Sequence, residues 1–473
     1  MPPCIVATYA RRTATALSSL PPPLRRHASH PSFRPRAVDI VAAEPGPAPT
    51  IFVTVEAMTT FAELTTIGVG GNIDHFMEPT TRASIIEEIE HADTHGIPVC
   101  VIGGGSNLLA SDDDFHGLVL RDARRLITVP DEADPVENGD NTVHVTAEAG
   151  CNWDDLVEFC VERGLEGIEG LSGIPGNVGA SVVQNIGAYG QEVATSVESV
   201  EVWDREDRKT KTLSNVEMQF GYRSSLLKTS MYKAPGVPNE EYYPSPRYIV
   251  LSVTFALTHT ESGTVNYPQL AQALHVNLSD RIPIARLRDA VLDVRASKAM
   301  LEDATRYRLP VMVDEKRPDA VERAIRDQQR FVTRHDAPAD VVDEHIQATV
   351  GENEDYNRHS CGSFFMNPIV DSTVAAALPD DSPKYPATLP DGSTGVKLSA
   401  AWLIDHAGFH KGYRVSPDAR AALSDMHTLA ITNRGGAACD DIVALASAIR
   451  DGVRKQFNVT LVPEPVMVNT RLS

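Results

Sequence analysis

The chain has 473 residues, of which 42% are hydrophobic, and its formal net charge at pH 7 is -21. A chain of this length is too long for one typical core, so we expect two or three domains. The acidic excess argues against a general binder of nucleic acid or of anionic membranes, because both need a basic surface. No uninterrupted apolar run reaches the roughly 18 to 20 residues that span a bilayer.

Six cysteines are scattered along the chain without a Cys-x-x-Cys pair. This spacing is typical neither of a zinc site nor of a disulfide framework. We therefore expect no metal site and a reducing, cytoplasmic environment.

Residues 1–50 differ in composition from the rest of the chain. They contain six arginines, no acidic residue before Asp39, and many prolines and serines. An organellar transit peptide has this composition, but a bacterial extension or an over-long translation start gives the same pattern. We interpret residues 1–57 as a disordered extension, because they offer too little apolar surface to order themselves.

We therefore expect a protein lacking residues 1–50 to keep its activity, since no packed structure is removed. An activity assay of the purified truncated protein tests this. Loss of soluble protein on truncation would show instead that the segment packs against the rest of the chain.

The first glycine-rich segments flank a predicted helix. Leu64-Thr-Thr-Ile-Gly-Val-Gly-Gly-Asn72 precedes a short strand, and Thr80 or Thr81 can cap a helix that ends at Gly96. A strand from Val99 to Ile102 then follows.

That strand opens into Gly103-Gly-Gly-Ser-Asn107, where three consecutive glycines indicate a phosphate cradle. A Rossmann fold would place a helix directly after such glycines. Leu108 to Phe115 reads as a turn instead, so we reject that fold.

The densest glycine pattern lies between Gly164 and Gly190, with eight glycines in 27 residues. It follows a predicted strand, Val143 to Gly150, and a helix capped by Asn152. Flexible linkers are Ser-rich, whereas this stretch is interleaved with large apolar residues. We predict a ligand-binding loop in which backbone N–H groups approach the ligand closely.

The remaining elements define the fold class. Strand-like runs occur at Val197 to Trp203 and Tyr248 to Leu257, and an amphipathic helix, Ala437 to Phe457, precedes a final strand. Helices and short strands mix without a regular βαβ repeat. This order predicts an α+β fold.

Two motifs in the glycine-rich stretch resemble a known family. Ile174-Pro-Gly-Asn-Val-Gly-Ala-Ser and Gln184-Asn-Ile-Gly-Ala-Tyr-Gly190 are similar to the flavin-binding segment of UDP-N-acetylenolpyruvoylglucosamine reductases, bacterial enzymes that make the muramic acid of the cell wall. Further family motifs recur in order from about Leu64 to Val468, so the resemblance covers most of the chain.

The resemblance implies two domains. An FAD-binding domain of the vanillyl-alcohol-oxidase/PCMH-like type would cover residues 58–260, and an α+β substrate-binding domain would cover 261–468. Residues 300–358 are long for the family's connection and rich in charge, so we read them as an inserted surface element.

The resemblance also implies the reaction. Non-covalent FAD would take hydride from NADPH and pass it to the enolpyruvyl group of a UDP-sugar, giving UDP-N-acetylmuramate for peptidoglycan synthesis. We expect a cytoplasmic monomer that binds these small molecules and neither nucleic acid nor membranes.

Family motifs give the cofactor-binding residues. We expect the flavin pyrophosphate at the first glycine loop and further backbone contacts from the second. The predicted cofactor-binding residues are Gly103, Gly104, Gly105, Ser106, Asn107, Ile174, Pro175, Gly176, Gly179 and Ala180.

Three residues match the family's catalytic positions. Arg223, in Phe220-Gly-Tyr-Arg-Ser-Ser225, would stabilise charge near the substrate carboxylate. Ser363, in Gly362-Ser-Phe-Phe-Met-Asn-Pro368, would donate a proton, and Glu464 would orient groups or stabilise the enol. By residue type alone the three would be an arginine in a surface ion pair, a turn hydroxyl and a surface carboxylate at a strand end.

Four further residues match substrate contacts of the family: Tyr222, Tyr267, Lys298 and Asn367. Tyr267 lies in Val265-Asn-Tyr-Pro268 and would contact the substrate diphosphate, although a tyrosine in a core or turn gives the same pattern. Lys298 ends a basic element, Arg295-Ala-Ser-Lys298.

Three positions depart from the family pattern: Met366, where lysine is frequent, Val462, where some members carry an acid, and Pro465. These departures weaken the local match around Ser363 and Glu464.

Two alternatives stay open at this point. One is an FAD-linked oxidase or dehydrogenase of a small alcohol, which would often attach its flavin through His or Cys, and His116 and Cys151 are not far from the first glycine loop. The other is a catalytically inactive flavin-binding module. That module would have no need for Arg223, Ser363 and Glu464 together, so their joint presence favours the reductase.

Overall fold

The computed structural model describes residues 58–130, 141–231, 245–312, 322–327, 355–389 and 392–472. The predicted disordered extension, residues 1–57, lies outside these ranges, as does most of the segment at 300–358. The strands are β1 (Ile73–Met77), β2 (Val99–Val101), β3 (Leu108–Ala110), β4 (Phe115–Leu120), β5 (Ile127–Thr128), β6 (Thr142–Glu148), β7 (Leu165–Glu166), β8 (Gly187–Ala188), β9 (Gln191–Glu192), β10 (Val197–Asp204), β11 (Lys209–Ser214), β12 (Tyr248–His259), β13 (Ser262–Thr264), β14 (Arg281–Pro283), β15 (Ile369–Val370), β16 (Lys384–Thr388), β17 (Thr394–Leu398), β18 (Ala421–Leu423), β19 (Ile431–Asn433) and β20 (Val466–Val468). The helices are α1 (Phe61–Leu64), α2 (Arg82–His95), α3 (Trp153–Glu162), α4 (Val178–Ser181), α5 (Leu226–Thr229), α6 (Pro268–Leu274), α7 (Ile284–Ala296), α8 (Ser372–Ala376), α9 (Ala400–His406) and α10 (Cys439–Phe457).

Helix α2 joins a small parallel sheet to the main sheet. The predicted cap Thr81 accepts a hydrogen bond from the Ser84 N–H, and Gly96 ends the helix in the left-handed region at φ 66°. The buried side chains of α2 pack in one cluster with those of β2 and β4, which belong to the parallel sheet β1-β4-β2, and with those of β10 and β12. The predicted helix and its boundaries are therefore confirmed.

The main sheet has the strand order β11-β10-β12-β6-β5, with antiparallel neighbours. Its central strand, β12, alternates buried and half-buried residues along most of its length. Helix α3 covers the sheet with Trp153, Leu156 and Val157, and it begins after the predicted cap Asn152, whose side chain accepts hydrogen bonds from two backbone N–H groups. The glycine-rich stretch follows this helix directly.

A separate core forms in the C-terminal part. Phe364, Phe365 and Leu403 pack against the apolar face of α10, and the same cluster includes Ile67 and Leu109 from the first half of the chain. Strand β20 runs parallel to β3, with Val466 opposite Leu108. The chain therefore returns to the first glycine loop after completing its last helix, which places residue 464 beside that loop.

The mixture of antiparallel sheet, small parallel sheet and helices confirms the α+β class predicted from the sequence. The domain boundary near residue 260 stays a prediction.

Some of the described residues of the segment at 300–358 are buried, which the surface element expected from its charge did not anticipate. Tyr307 and Met312 are 5% and 2% exposed and share a small core with Ala324. Two of its arginines, Arg306 and Arg323, are buried, and Arg323, which is 3% exposed, lies against Asp155 of α3. High charge indicated solvation in the sequence, but Arg323 is instead buried among three acidic partners, Asp154, Asp155 and Glu302.

Candidate active site

A cavity of about 330 Å³ lies between the two glycine loops, the turn that carries Arg223 and the segment before β20. All of the predicted cofactor-binding residues line it, together with the three predicted catalytic residues Arg223, Ser363 and Glu464. This volume falls within the range typical of ligand pockets. The structure therefore brings together residues that are up to 361 positions apart in the chain, from Gly103 to Glu464.

The two glycine loops touch each other through their main chains. A Cβ on Gly104 would lie 2.7 Å from the Gly176 Cα, and a Cβ on Gly105, whose φ is +67°, would lie 2.0 Å from the Leu64 carbonyl oxygen. The Ser106 hydroxyl donates a hydrogen bond of 2.6 Å to the Pro175 carbonyl. Glycine is therefore required in the first loop by close packing as well as by backbone conformation.

The first loop presents a row of free donors. Among the described residues, no acceptor receives a hydrogen bond from the backbone N–H groups of Gly103 to Asn107. Successive free N–H groups on a cavity wall form an anion-binding nest. The loop therefore has the donors that a flavin diphosphate requires, and the cradle fits FAD.

Arg223 is held in one orientation by three acceptors. Its Nε donates to Glu464 Oε1 at 3.0 Å, its Nη2 donates to the Gly187 carbonyl at 2.8 Å, and its Nη1 donates to the Asn185 carbonyl at 3.4 Å. The backbone of Arg223 has φ +53° in a tight turn between Gly221 and Ser224. The turn and the three bonds together fix the guanidinium at the cavity wall.

Glu464 connects this arginine to a second cation. Gln184 donates to Glu464 Oε1 at 3.4 Å and accepts a hydrogen bond from Lys228 Nζ at 3.1 Å. Burial raises the pKa of Glu464, while Arg223 and Lys228 oppose that rise. Burial also lowers the pKa of Lys228. The reading of the sequence missed Lys228 and Gln184, although Gln184 opens one of the family motifs.

Ser363 faces the same cavity with a free hydroxyl. The next residue, Phe364, accepts a backbone hydrogen bond from the Glu464 N–H at 2.9 Å, which brings the two predicted catalytic segments side by side. Within the described residues the Ser363 side chain makes no hydrogen bond. Its hydroxyl is thus available to a ligand.

Tyr222 and Asn367 lie together behind the cavity wall. The Asn367 backbone N–H donates to the Tyr222 hydroxyl at 3.3 Å, and the Asn367 Oδ1 accepts a hydrogen bond from the Ala400 N–H at 2.9 Å. Lys397 lies over the Tyr222 ring, with its Nζ 5.2 Å from the ring centroid. Neither residue lines the cavity, so their role as direct substrate contacts stays a prediction.

Tyr267 and Lys298 belong to a second, basic group. The Tyr267 ring packs edge-on against Tyr189 at 5.6 Å, and Lys298 Nζ lies 5.8 Å from the centroid of the same Tyr189 ring. Lys298 also donates to Gln269 at 2.9 Å. Burial, followed by the charges of Arg295 and Lys411, lowers the pKa of Lys298.

His427 completes this basic group. Its Nδ1 accepts a hydrogen bond from the Leu429 N–H at 3.1 Å, so in the neutral ring Nε2 carries the proton. Burial, and then the charges of Lys298, Lys411 and Arg295, lower its pKa to about 4. The reading of the sequence missed Lys411 and His427, because neither lies in a motif and both are far from Lys298 along the chain.

We expect His427 to make the protein less stable in mild acid. Because its folded pKa is depressed to about 4, the unfolded chain binds a proton that the folded state does not as the pH falls from about 6.5. Stability should therefore drop by about 1–3 kcal/mol between pH 6.5 and 4. Urea unfolding of wild type and His427→Gln at several pH values tests this. A variant with the same pH slope as wild type would contradict it.

The fold and the cavity define an FAD-binding enzyme. Residues 73–214 match the family described as FAD binding domain, and residues 354–468 match the family described as UDP-N-acetylenolpyruvoylglucosamine reductase, C-terminal domain. Both the predicted cofactor and the predicted fold type are confirmed.

Sequence similarity to other proteins extends over the greater part of the chain. The UDP-N-acetylenolpyruvoylglucosamine reductase of Thermobifida fusca is 36% identical over 418 residues, which are 87% of this chain and 97% of that protein. The protein of the same name from Nocardia farcinica is 38% identical over 429 residues, covering 89% and 91% of the two chains. This chain therefore belongs to the UDP-N-acetylenolpyruvoylglucosamine reductase family, as the motifs predicted.

A crystal structure of UDP-N-acetylenolpyruvylglucosamine reductase from Thermus caldophilus is also similar, with 22% identity and a TM-score of 0.47, covering 87% of this chain and 98% of that one. None of the helices in the described part is long and apolar enough to cross a membrane.

Proposed function

We propose that this protein reduces the enolpyruvyl group of UDP-N-acetyl-3-O-(1-carboxyvinyl)-glucosamine to give UDP-N-acetylmuramate, with NADPH as reductant, in peptidoglycan synthesis. The observation that carries the proposal is the single cavity that joins both flavin loops to Arg223, Ser363 and Glu464. A binding module would need the loops alone. The proposal extends to a cytoplasmic monomer, and the free state of the described cysteines supports the reducing compartment.

The first loop, Gly103 to Asn107, would hold the FAD diphosphate with its free N–H groups, and Ile174 to Gly176, with Gly179 and Ala180, would line the rest of the cofactor. When bound, FAD supplies the chemistry that carries hydride from NADPH to the substrate. The protein supplies orientation and charge.

Arg223 would stabilise the negative charge that develops on the substrate. Hydride added to the methylene carbon leaves charge spread over the adjacent carbon and the carboxylate, and a fixed cation at that point lowers the barrier. Arginine has five N–H donors, so donors remain after its bonds to Glu464, Asn185 and Gly187. Glu464 would position this cation, and through Gln184 it would also position Lys228.

Ser363 would then protonate the adjacent carbon. A serine hydroxyl is a poor acid in water, so it serves only a basic carbanionic centre that is held in line with the hydroxyl. Its free hydroxyl at the cavity wall suits this role. The electron pair of the carbanion takes the proton from the Ser363 Oγ to form the new C–H bond, and the serine alkoxide regains a proton from water.

The basic group around Lys298 would bind the substrate's diphosphate. Lys298 and Lys411 supply charge, Tyr267 is 39% exposed, and the neutral His427 has Nε2–H available. Arg295 contributes charge to this group and also lines the cavity, so it links the two sites.

The structure gives no support to a covalent flavin. The lining residues that the structure describes include no histidine, and the cysteine among them, Cys361, is buried and donates its S–H to the Leu108 carbonyl at 3.2 Å. Burial raises the Cys361 pKa to about 12, so the reactive thiolate does not form at neutral pH. The earlier candidates, His116 and Cys151, do not line the cavity.

We therefore expect acid precipitation of the purified protein to release yellow flavin into the supernatant. Chromatography of that supernatant against FAD and FMN standards identifies the cofactor. Flavin that stays in the protein pellet would point to the covalent oxidase alternative.

An anaerobic NADPH titration tests the proposed reaction. NADPH should bleach the flavin absorbance of the purified protein, and the enolpyruvyl sugar nucleotide should restore it. The proposal would be overturned if the sugar nucleotide did not restore the flavin absorbance, whereas oxygen or the carbonyl product of a small alcohol did.

A further inference from the structure

Arg306 is a buried cation beside the first glycine loop. It lies in the segment at 300–358, is 7% exposed, and its Nη2 donates to the Leu64 carbonyl at 3.0 Å and to the Gly104 carbonyl at 3.2 Å. Its Nε and Nη1 have no hydrogen-bond partner, and the described residues provide no ion pair for it. The reading of the sequence gave this segment no chemical role.

A buried guanidinium without a counter-ion is costly. Glu302 is the carboxyl that acts most strongly on Arg306, but it is occupied by a 2.9 Å hydrogen bond from the Tyr307 hydroxyl. Glu302 also lies within 3.5 Å of a second arginine, Arg323. Asp303 also acts on Arg306, and it pairs with His359. Neither carboxylate forms an ion pair with Arg306 in the described part of the chain, and a bound anion would supply a counter-charge.

The hydrogen bond from Arg306 to the Gly104 carbonyl also sets the direction of the Gly105 N–H. None of the described peptide bonds is cis, and in a trans peptide the carbonyl and the N–H point in opposite directions. Because Arg306 holds the Gly104 carbonyl, the Gly105 N–H points away from Arg306. Thr66 acts in the same way on the next peptide, since its backbone N–H donates to the Gly105 carbonyl at 3.0 Å.

We propose that Arg306 is a positioning residue of the cofactor site, which orients the Gly104–Gly105 peptide and provides the buried positive charge for the diphosphate of FAD. This inference rests on the placement of that diphosphate at Gly103 to Asn107. It assigns a binding role to Arg306, in a segment that the sequence presented as a surface insertion.

The test compares Arg306→Met and Arg306→Lys with Arg326→Met. Arg326 lies in the same segment but its side chain is 51% exposed and pairs with Glu158, so its loss removes a similar side chain without touching the loop. Apoprotein of each variant is titrated with FAD, and with riboflavin as an analogue that lacks the diphosphate, by quenching of flavin fluorescence.

Arg306→Met should weaken FAD binding roughly 10- to 100-fold, the scale of one charge-assisted hydrogen bond from the misplaced loop to phosphate. Riboflavin binding should change less than about twofold, since the missing charge acts on phosphate. Arg306→Lys should recover part of the loss, because it keeps the charge, and Arg326→Met should match wild type. The ³¹P resonances of bound FAD should shift in both Arg306 variants.

Several outcomes would overturn the assignment. Unchanged FAD affinity in Arg306→Met would show that Arg306 does not belong to the cofactor site. If the variant loses as much affinity for riboflavin as for FAD and the ³¹P resonances do not shift, Arg306 only maintains the structure of the cavity. Calorimetry with UDP on FAD-loaded protein tests whether Arg306 serves the diphosphate of the substrate instead. Weakened UDP binding with normal FAD binding would assign Arg306 to the substrate's diphosphate. If wild-type protein binds FAD in the expected way but the sugar nucleotide does not reoxidise it, the proposed reaction fails while this assignment stands.

Discussion

Ser363→Ala should slow reoxidation of the enzyme by the enolpyruvyl sugar nucleotide by ~10²–10⁴-fold, the usual cost of losing a general acid. The rate at which NADPH bleaches the flavin should stay near that of wild type, because that half of the cycle places no proton on the sugar's lactyl carbon. The effect should be this selective since Ser363 makes no hydrogen bond to the described protein whose loss would disturb the fold.

Stopped-flow measurement of the two half-reactions separates these rates. Ser372→Ala is a matched control, because Ser372 is an exposed serine in the same part of the chain and should behave as wild type in both. An unchanged rate of reoxidation in Ser363→Ala would remove Ser363 from the mechanism. Equal slowing of both half-reactions would indicate a disturbed cavity instead of a lost acid.

Gly105→Ala should yield protein with at least tenfold weaker FAD binding. The new Cβ would lie 2.0 Å from the Leu64 carbonyl oxygen, so the loop must shift, and each contact to phosphate that is lost costs about 1.5–3 kcal/mol. Flavin content after purification and fluorescence titration of the apoprotein measure the loss.

The chain offers a matched control for the backbone strain in this variant. Gly96 has φ +66°, nearly the same as the +67° of Gly105, but a Cβ on Gly96 would meet nothing within 4 Å. Gly96→Ala should therefore cost only the roughly 1–2 kcal/mol of left-handed alanine and keep its flavin. Gly104→Ala tests the loop contact without that strain, because the φ of Gly104 lies outside the left-handed region while its Cβ would lie 2.7 Å from the Gly176 Cα. Normal FAD affinity in Gly104→Ala and Gly105→Ala would show that the cofactor does not use this loop.

Local signals in the sequence predicted the elements that depend on local interactions. Helix α2 has a threonine cap, a regular apolar face and a terminal glycine, and its predicted start and end agree with the structure. Helix α3 and its cap Asn152 follow the same logic. Capping and helical periodicity involve neighbours within one or two turns, so the sequence alone contains what is needed.

Contacts between distant segments could not be read in this way. Leu108 to Ala110 looked like part of a turn but forms strand β3, because its partner β20 comes from the far end of the described chain. The pairing of Arg223 with Glu464 and the charge group of Lys411 and His427 likewise depend on tertiary approach. Resemblance to a family supplied Arg223, Ser363 and Glu464, whereas residue type alone favoured surface roles for them.

Charge alone misled for two described arginines of the segment at 300–358. Its arginines raised the expectation of a solvated surface, and surface arginines are indeed the common case. Here Arg306 and Arg323 are buried beside the glycine loop and helix α3. The composition of a segment does not reveal whether its partners are water or acidic groups elsewhere in the fold.

The pairing of β20 with β3 also bears on the order in which the molecule folds. The two strands lie near opposite ends of the described chain, as the pairing of Val466 with Leu108 shows. Bringing them together costs conformational entropy that is offset only by contacts formed afterwards. The main sheet and its covering helix α3 involve shorter separations along the chain and can form first. Glu464 and strand β20, which pairs with β3 next to the first glycine loop, then reach their positions together. A partly folded chain would therefore have neither a complete cofactor pocket nor a complete catalytic centre.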